Sequence, residues 1–160
     1  MTTNVVILMG SKSDLTQAQS IAKTLQTLEI TYHMRVCSAH KATTRLLEIL
    51  KEYEQSSEPL VYITIAGRSN ALSAVIDANT RFPVIACPPY SDRFGGADIF
   101  SSLRLPSGIA SPTILEPEGA ALLAAKMLAL SNESLRQRVM AYKEKLVTEL
   151  YDADKEVYGQ

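Results

Sequence analysis

The chain has little of what several common functions require. Its 160 residues include only two histidines and two cysteines, and the formal net charge is -1. Such a balanced charge, without a long basic run, argues against a general nucleic-acid or anionic-membrane binder, although a local phosphate site stays possible. Cys37 and Cys87 have no CxxC spacing and so form neither a disulfide framework nor a zinc site. Both end apolar runs, where buried, reduced thiols are the default.

Several familiar motifs are also missing. The sequence has no Walker loop, GxGxxG, HExxH or GxSxG pattern. We therefore do not expect the sites that these motifs form for nucleoside triphosphates, NAD, zinc or serine hydrolysis. The stretch MTTNVVILMGSKSD has no charged leader or cleavage site, and its apolar run is too short to cross a bilayer. We therefore expect a cytoplasmic protein that binds no membrane and no metal. A composition of 46% hydrophobic and 21% charged residues is ordinary for a globular chain and predicts one domain, 1–160.

What the sequence does contain is a repeated alternation of strands and helices. The predicted strands lie at 5–9, 31–37, 60–65 and 83–87. Apolar residues at three- and four-residue spacing predict helices at 14–28, at 43–55 and from Asn70 onward. This order implies right-handed βαβ crossovers. We expect a three-layer αβα sandwich with a parallel, flavodoxin-like central sheet.

The alternation breaks between residues 88 and 117, which hold five of the seven prolines and three of the seven glycines. We interpret this segment as an irregular active-site loop with a short helix near 97–103 and a fifth strand around 109–115. An alanine-rich helix at 118–131 follows, and then a C-terminal helical segment at 132–160. Its apolar stripe must pack on its own domain or on a neighbouring subunit, which favours a homo-oligomer. The stripe comprises Leu135, Val139, Tyr142, Leu146 and Leu150.

Polar clusters follow the first three predicted strands. They are GSKSD at 10–14, SAHK at 38–41 and AGRSN at 66–70. In an open parallel sheet, such strand ends meet at one edge, and the helix N-termini that follow favour anions. A phosphate-bearing small molecule is therefore the expected ligand.

Each cluster taken alone has an ordinary explanation. Ser13 or Asp14 could cap the next helix, with Gln17 completing a capping box, and His40 could be a polar residue in a turn. Convergence of the three clusters favours a ligand site in which His40 transfers protons, because its ordinary pKa lies near 6.5. His33 lies in the middle of a predicted strand and is interpreted as structural.

The motifs VVILMGSKSD, RVCSAHK, ITIAGRSNALS, IACPP and SSLRLPSG resemble the PurE family of purine biosynthesis in order and spacing. The resemblance runs from Val5 to Ser131. The family's mutase type typically reads SAHR, followed later by AGGAAHLPG. Lys41 and AGRSN here resemble the class II type instead. That type is 5-aminoimidazole ribonucleotide (AIR) carboxylase, which adds carbon dioxide reversibly to give 4-carboxy-AIR (CAIR). The resemblance also implies a tetramer or octamer and no ATP, biotin or metal cofactor.

Roles for individual residues are implied by the same resemblance. His40 would be the catalytic acid and base, Asp14 would bind the ribose, and Lys41 would lie near the phosphate. Gly67 would permit close backbone approach to the substrate, and the loop 101–108 would help to enclose the site, often with help from another subunit. The full implied substrate-binding set is Ser11, Ser13, Asp14, Ser38, Lys41, Gly67, Arg68, Ser69 and Asn70.

Three alternatives stay open. One is N5-carboxyaminoimidazole ribonucleotide mutase, the class I activity on the same fold. A second is a non-enzymatic, flavodoxin-like or receiver-like binding module. The third is a hydrolase that uses Cys37 with His40, although no orienting acid is evident for it.

Overall fold

The structure is a computed structural model that describes residues 4–158. Its centre is a sheet of four parallel strands in the order β2-β1-β3-β4. The strands are β1 (Val5–Met9), β2 (Tyr32–Val36), β3 (Val61–Ile65) and β4 (Val84–Ala86). The predicted parallel sheet is therefore confirmed, with each strand within two residues of its expected bounds.

The two inner strands are buried along their whole length. Every residue of β1 and β3 is buried. Successive side chains of β1 enter opposite layers, so that Val5, Ile7 and Met9 pack in one core and Val6 and Leu8 in the other. A strand that is covered on both faces has a continuous run of apolar residues, so both strands could be predicted from the sequence.

Helices cover both faces of the sheet. They are α1 (Leu15–Thr27), α2 (Thr43–Glu54), α3 (Ala71–Asp77), α4 (Phe100–Leu103), α5 (Pro117–Ala129) and α6 (Glu133–Tyr158). Helices α1 and α5 pack on one face, and α6 packs on α5. Helices α2 and α3 pack on the other face. The arrangement is the predicted three-layer αβα sandwich.

The expected fifth strand around 109–115 is reduced to one parallel bridge between Ala86 and Thr113. The Ala86 N–H donates to the Pro112 carbonyl at 2.9 Å, and the Ile114 N–H donates to the Ala86 carbonyl at 2.8 Å. Pro112 has no N–H of its own and cannot extend the ladder. The bridge lies beside β4, which gives the 2-1-3-4-5 order of flavodoxin-like sheets.

Helix α6 packs on the rest of the chain only through its first half. Leu135 and Val139 are buried against α5, whereas Leu146 is 46% and Leu150 is 69% exposed. The predicted apolar stripe therefore extends past the part of α6 that packs on α5. Within residues 4–158, no helix has the length and hydrophobicity needed to cross a membrane.

Candidate active site

The chain leaves the sheet at nearly the same level after each strand, because three backbone hydrogen bonds align the strand ends. These bonds run from the Cys37 N–H to Met9, from the Gly10 N–H to Ile65 and from the Cys87 N–H to Thr64, each at 2.8 Å. The loops that follow surround a cleft of about 740 Å³. Its size is within the range of small-molecule sites in proteins.

Nine of the ten residues singled out from the sequence line this cleft. They are Ser11, Ser13, Asp14, Ser38, His40, Lys41, Gly67, Arg68 and Ser69. They occupy three loops, at 10–14, 38–41 and 66–69, which together we call the strand-end wall. Residues 89–98 form the opposite side, which we call the loop wall, and contribute Pro89, Tyr90, Ser91, Arg93 and Asp98 to the lining.

The loop after β1 is held by its own polar side chains. Ser11 caps a 3₁₀ turn, Lys12–Asp14: its hydroxyl accepts from the Ser13 N–H at 3.2 Å, and its N–H donates to the Asp14 carboxylate at 3.1 Å. The expected capping box of Asp14 with Gln17 is wrong, because Gln17 instead donates its amide N–H to the Cys87 carbonyl at 2.8 Å. The reciprocal cap orders both serines and Asp14 beside the cleft.

Asp14 is the acidic group of the strand-end wall. Burial raises the pKa of its carboxyl, while the hydrogen bonds from the Ser11 N–H and the Ser13 hydroxyl act in the opposite direction. When ionised, the carboxylate only accepts hydrogen bonds. It is therefore suited to the hydroxyl groups of a sugar and unsuited to a phosphate.

The loop after β2 presents His40 and Lys41 at the surface of the cleft, and both side chains are exposed. Ser38 organises the turn: its hydroxyl accepts from the Lys41 N–H at 3.3 Å, and its carbonyl accepts from the Ala42 N–H at 2.9 Å. His33 lies outside the cleft on β2, where its Nδ1 is 3.1 Å from the Tyr53 hydroxyl. The two histidines therefore have different surroundings.

The loop after β3 touches the loop wall directly. A Cβ on Gly67 would lie 3.2 Å from Cγ of Pro89, so that glycine permits the two walls to approach. The expected close approach of the substrate to Gly67 stays a prediction. Arg68 follows with a φ of 57°, in the left-handed region that non-glycine residues rarely occupy. This backbone turn brings Arg68 and Ser69 to the cleft.

Asn70 does not line the cleft, contrary to the sequence-based expectation. It is 4% exposed, and its Oδ1 accepts from the Ser73 N–H at 3.1 Å to cap α3. Its Nδ2 donates to the Ser102 hydroxyl at 3.0 Å, and its N–H donates to the Ser101 hydroxyl at 2.9 Å. The side-chain amide, with two partners, and the backbone N–H, with a third, support the loop from behind, and Asn70 is turned away from the cleft.

The segment 101–108 does not line the cleft of its own chain, and its expected part in enclosing the site, often with help from another subunit, stays a prediction. Ser101 and Ser102 face Asn70 in the interior, and no residue of 101–108 belongs to the lining. The loop wall at 89–98 takes that place. The sequence marked 88–117 as an active-site loop, but no motif distinguished Arg93 or Asp98 within it.

Both thiols are buried and reduced. Burial raises the pKa of Cys37, and the Cys37 thiol donates a weak hydrogen bond to the Ala42 carbonyl at 3.6 Å. Burial likewise raises the pKa of Cys87. A nucleophilic cysteine needs an accessible thiolate, and these surroundings favour the thiol. The Cys37–His40 hydrolase therefore loses support.

Comparisons with known proteins agree with one another. A family model described as AIR carboxylase matches residues 4–149. Phosphoribosylaminoimidazole carboxylase of Archaeoglobus fulgidus is 55% identical over 95% of this chain and 83% of its own. The bifunctional phosphoribosylaminoimidazole carboxylase/phosphoribosylaminoimidazole succinocarboxamide synthetase of Rattus norvegicus is 44% identical over 96% of this chain, which spans 36% of that protein.

Among solved structures, the crystal structure of Treponema denticola PurE superposes with a TM-score of 0.94 at 47% sequence identity. The superposition covers 97% of this chain and 98% of that one. The likeness thus extends over the whole sandwich and is accompanied by substantial sequence identity. The chain belongs to the AIR carboxylase family.

Proposed function

We propose that this protein is a class II AIR carboxylase, which joins AIR to carbon dioxide and releases CAIR in de novo purine biosynthesis. The observation that carries the proposal is the convergence of His40, Lys41 and the capped GSKSD turn in one cleft. Relatives that are 44% to 55% identical over nearly the whole chain carry phosphoribosylaminoimidazole carboxylase in their names.

The strand-end wall holds AIR by its phosphate and ribose. The exposed Lys41 ammonium supplies a positive charge for the phosphate, and Ser11 and Ser13 supply hydroxyl donors. Asp14 accepts hydrogen bonds from the ribose hydroxyls, and charge-assisted bonds of this kind are the stronger ones. The two serines and Lys41 bind the phosphate end of AIR, and Asp14 binds the ribose. These contacts hold the substrate in one orientation.

The chemical step needs a base and a dry place for carbon dioxide. The aminoimidazole ring of AIR is rich in electrons, and its carbon 4 attacks carbon dioxide directly. The new C–C bond leaves carbon 4 tetrahedral and the ring non-aromatic. His40 then accepts the proton of carbon 4, and the electron pair of that C–H bond restores the aromatic ring. In the reverse direction the same imidazolium returns the proton.

Positioning provides the rest of the rate enhancement. Holding carbon dioxide beside carbon 4 removes the entropy cost of a bimolecular encounter, which is worth up to about 7–11 kcal/mol in well-oriented systems. The N–H groups of Gly67 and Arg68 and the hydroxyl of Ser69 face the developing carboxylate, since the Ser69 N–H donates to the Gly67 carbonyl at 2.7 Å. Donors that are already oriented toward a growing negative charge stabilise the transition state.

Lys41 and Arg68 distinguish the carboxylase from the class I mutase in this proposal. Both side chains lie in the cleft lining, at the two positions where the sequence departs from the mutase pattern. A lysine ammonium is a compact point charge, whereas an arginine binds an anion with a planar fork, so the exchange alters how an anion is held. We therefore expect carbon dioxide as the co-substrate and no reaction with the N5-carboxy compound.

The experiment that tests the function offers both substrates to the purified protein. AIR supplied with bicarbonate as the carbon dioxide source, and without ATP, should give CAIR. The formation of CAIR is measured by its ultraviolet absorbance. N5-carboxy-AIR alone, assayed on the same time scale, should give no CAIR faster than its spontaneous breakdown allows. Efficient conversion of N5-carboxy-AIR would replace the carboxylase with the mutase. Binding of AIR without conversion of either compound would favour a non-enzymatic module.

The proposal includes no cofactor. The electron-rich ring needs neither ATP nor biotin to reach carbon dioxide, and His40 handles the proton. In the part of the chain that the structure describes, no three His, Cys, Asp or Glu side chains cluster as a metal site requires. We expect protein that has been dialysed against a chelator to keep full activity.

We also propose that the enzyme works in the cytoplasm, where purine precursors are made.

The protein is further proposed to act as a homo-oligomer, a tetramer or an octamer. Support comes from the second half of α6, where Leu150, Tyr151 and Val157 are 69%, 64% and 71% exposed. Apolar side chains at helical spacing on one exposed face are typical of a subunit contact. Sedimentation equilibrium should give four or eight chains per particle, and a monomer at micromolar concentration would contradict the proposal.

A further inference from the structure

Asp98 is a cleft residue for which the reaction described above has no role. It lies in the loop wall and lines the cleft, and it also borders a neighbouring cavity of about 410 Å³. Apolar groups surround much of that second cavity, among them Pro88, Pro89, Ile99 and Leu115. Asp98 therefore lies between the polar cleft and a largely apolar cavity.

One oxygen of this carboxylate has no partner. Oδ2 of Asp98 is shielded from solvent and accepts no hydrogen bond from any residue between 4 and 158. Arg68 and Arg93 line the same cleft, yet neither forms an ion pair with Asp98 within the described chain. A buried polar atom without a partner is costly, and its persistence requires an explanation. Because the oxygen is shielded as the structure stands, a donor on a ligand reaches it only if the carboxylate turns toward the cleft.

The position of Asp98 is fixed from behind by hydrogen bonds. The Asn70 N–H donates to the Ser101 hydroxyl at 2.9 Å, and that hydroxyl donates to the Asp98 carbonyl at 2.8 Å. The chain of bonds ties the loop wall to the strand-end wall through a residue next to Ser69. Asp98 is therefore held at a defined distance from the groups that bind the substrate, although it belongs to an irregular loop.

The chemistry of AIR identifies the donor that this carboxylate meets. A carboxylate accepts hydrogen bonds and is repelled by phosphate, which leaves the ribose hydroxyls and the exocyclic amino group as candidates. Asp14 of the strand-end wall already serves the hydroxyls in the proposed binding mode. The remaining donor is the amino group on carbon 5. The terminal torsion of an aspartate is broad, so the carboxylate can turn its shielded oxygen toward that group.

We propose that Asp98 accepts a hydrogen bond from the exocyclic amino group of AIR and stabilises the positive charge that develops there; the inference rests on the proposed carboxylase function. As the C4–C5 π pair forms the bond to carbon dioxide, one C=O pair moves onto oxygen and gives the carboxylate. The lone pair of the amino nitrogen forms a C=N⁺ bond to carbon 5. Loss of the carbon 4 proton to His40 reverses that shift and returns the lone pair to nitrogen.

The first test removes the charge and keeps the shape. Asp98→Asn should lower kcat for AIR carboxylation about 10- to 100-fold, because it weakens a charge-assisted contact that is strongest in the transition state. The KM for AIR should change less than about threefold, since the asparagine oxygen still accepts the hydrogen bond and the phosphate and ribose contacts are kept. Glu58→Gln, at an exposed position outside both cavities, makes the same change of charge and should keep normal turnover.

The second test asks whether Asp98 recognises the amino group itself. Calorimetry would compare AIR with 1-ribosylimidazole 5′-phosphate, the analogue without that group, on the unmodified protein and on Asp98→Ala. The unmodified protein should bind AIR more tightly by about tenfold, and Asp98→Ala should bind the two compounds alike. A merely structural loss would weaken both ligands together and keep their ratio.

Each outcome has a distinct meaning. No carboxylation of AIR by the unmodified protein would overturn the proposed function, and this inference with it. Normal carboxylation by Asp98→Asn, or an unchanged preference for AIR in Asp98→Ala, would overturn the role of Asp98 and leave the carboxylase intact. Circular dichroism of each variant checks the fold, and Asp98→Asn still decides the matter if Asp98→Ala does not fold.

Discussion

The two walls of the cleft are built on different principles. The strand-end wall follows a buried parallel sheet, whose backbone hydrogen bonds set the height of all three loops. The loop wall contains three consecutive left-handed residues, Phe94, Gly95 and Gly96, with φ values of 53°, 63° and 77°. Its connections to the rest of the molecule run through Ser101 and through the contact of Pro89 with Gly67.

The difference separates two kinds of functional residue. On the strand-end wall, side chains sit on a rigid edge and can perform the chemistry with the geometry that the sheet provides. On the loop wall, side chains depend on a few local contacts, and we expect them to adjust the site. Substitutions on the strand-end wall should therefore have the larger effects, and the junction between the walls should have intermediate ones.

The largest effect should come from His40. We expect His40→Asn to fold and bind AIR normally but to lose turnover by at least about 100-fold, because His40 is the group assigned to take the proton from carbon 4. Steady-state rates and calorimetric affinity for AIR separate the two properties. The matched control is His33→Asn, which removes the other histidine from outside the cleft and should keep turnover. Near-normal turnover in His40→Asn would remove His40 from its role.

A smaller effect should follow from Lys41. Lys41→Met removes a charge beside the phosphate and should raise the KM for AIR about tenfold while kcat stays within about twofold. The control Lys51→Met removes an exposed lysine from α2 and should leave both constants unchanged. Added salt should weaken AIR binding to the unmodified protein more than to Lys41→Met. Equal salt effects on the two proteins would show that Lys41 does not contact the phosphate.

The junction of the two walls can be tested at Gly67. In Gly67→Ala, the new methyl group would lie 3.2 Å from Cγ of Pro89 and should displace the loop wall by a few tenths of an ångström. We expect kcat/KM to fall by roughly three- to tenfold, since small misplacements in an active site reduce rates. Gly119→Ala has a comparable contact, 3.1 Å from Cγ2 of Ile114, but lies in α5 outside the cleft. If both variants kept normal kinetics, the walls would not be mechanically linked.

The smallest effect concerns the pH dependence of stability at Asp14. Burial raises the pKa of this carboxyl above its ordinary value of 3.8, so the folded chain holds the proton more tightly than the unfolded chain does. Its contribution to stability is present below that ordinary value and is lost as the pH rises through the raised value. Asp14→Asn should therefore reduce the fall in the free energy of unfolding over this range, measured by urea titrations at several pH values. An unchanged pH profile would contradict the shift.

Much of the strand-end wall could be predicted because its determinants are local. The run VVILM marks a strand buried on both faces, and Gly10 marks its end. The strand ends of a parallel sheet must share an edge, so neighbouring clusters at 10–14, 38–41 and 66–69 were placed together without any knowledge of side-chain geometry. His40 became a candidate through that convergence.

Asn70 shows where this reasoning stops. Its neighbours Arg68 and Ser69 face the cleft, and nothing in AGRSN indicates that the fifth residue turns inward. That orientation depends on Ser101 and Ser102, which are 31 and 32 positions further along the chain. A side chain with partners that distant cannot be assigned from its local sequence.

The sequence by itself therefore determined the sheet, its helical layers and the edge at which the chemistry takes place, because apolar periodicity and strand ends are properties of short segments. Only the tertiary structure decided which residues complete the cleft. Pro89, Arg93 and Asp98 reach the cleft through a loop whose path is set by backbone turns at Phe94 to Gly96 and by Ser101, which bonds both to Asp98 and to the distant Asn70. Long-range contacts of this kind have no periodic signal, and so they appear only once the chain is folded.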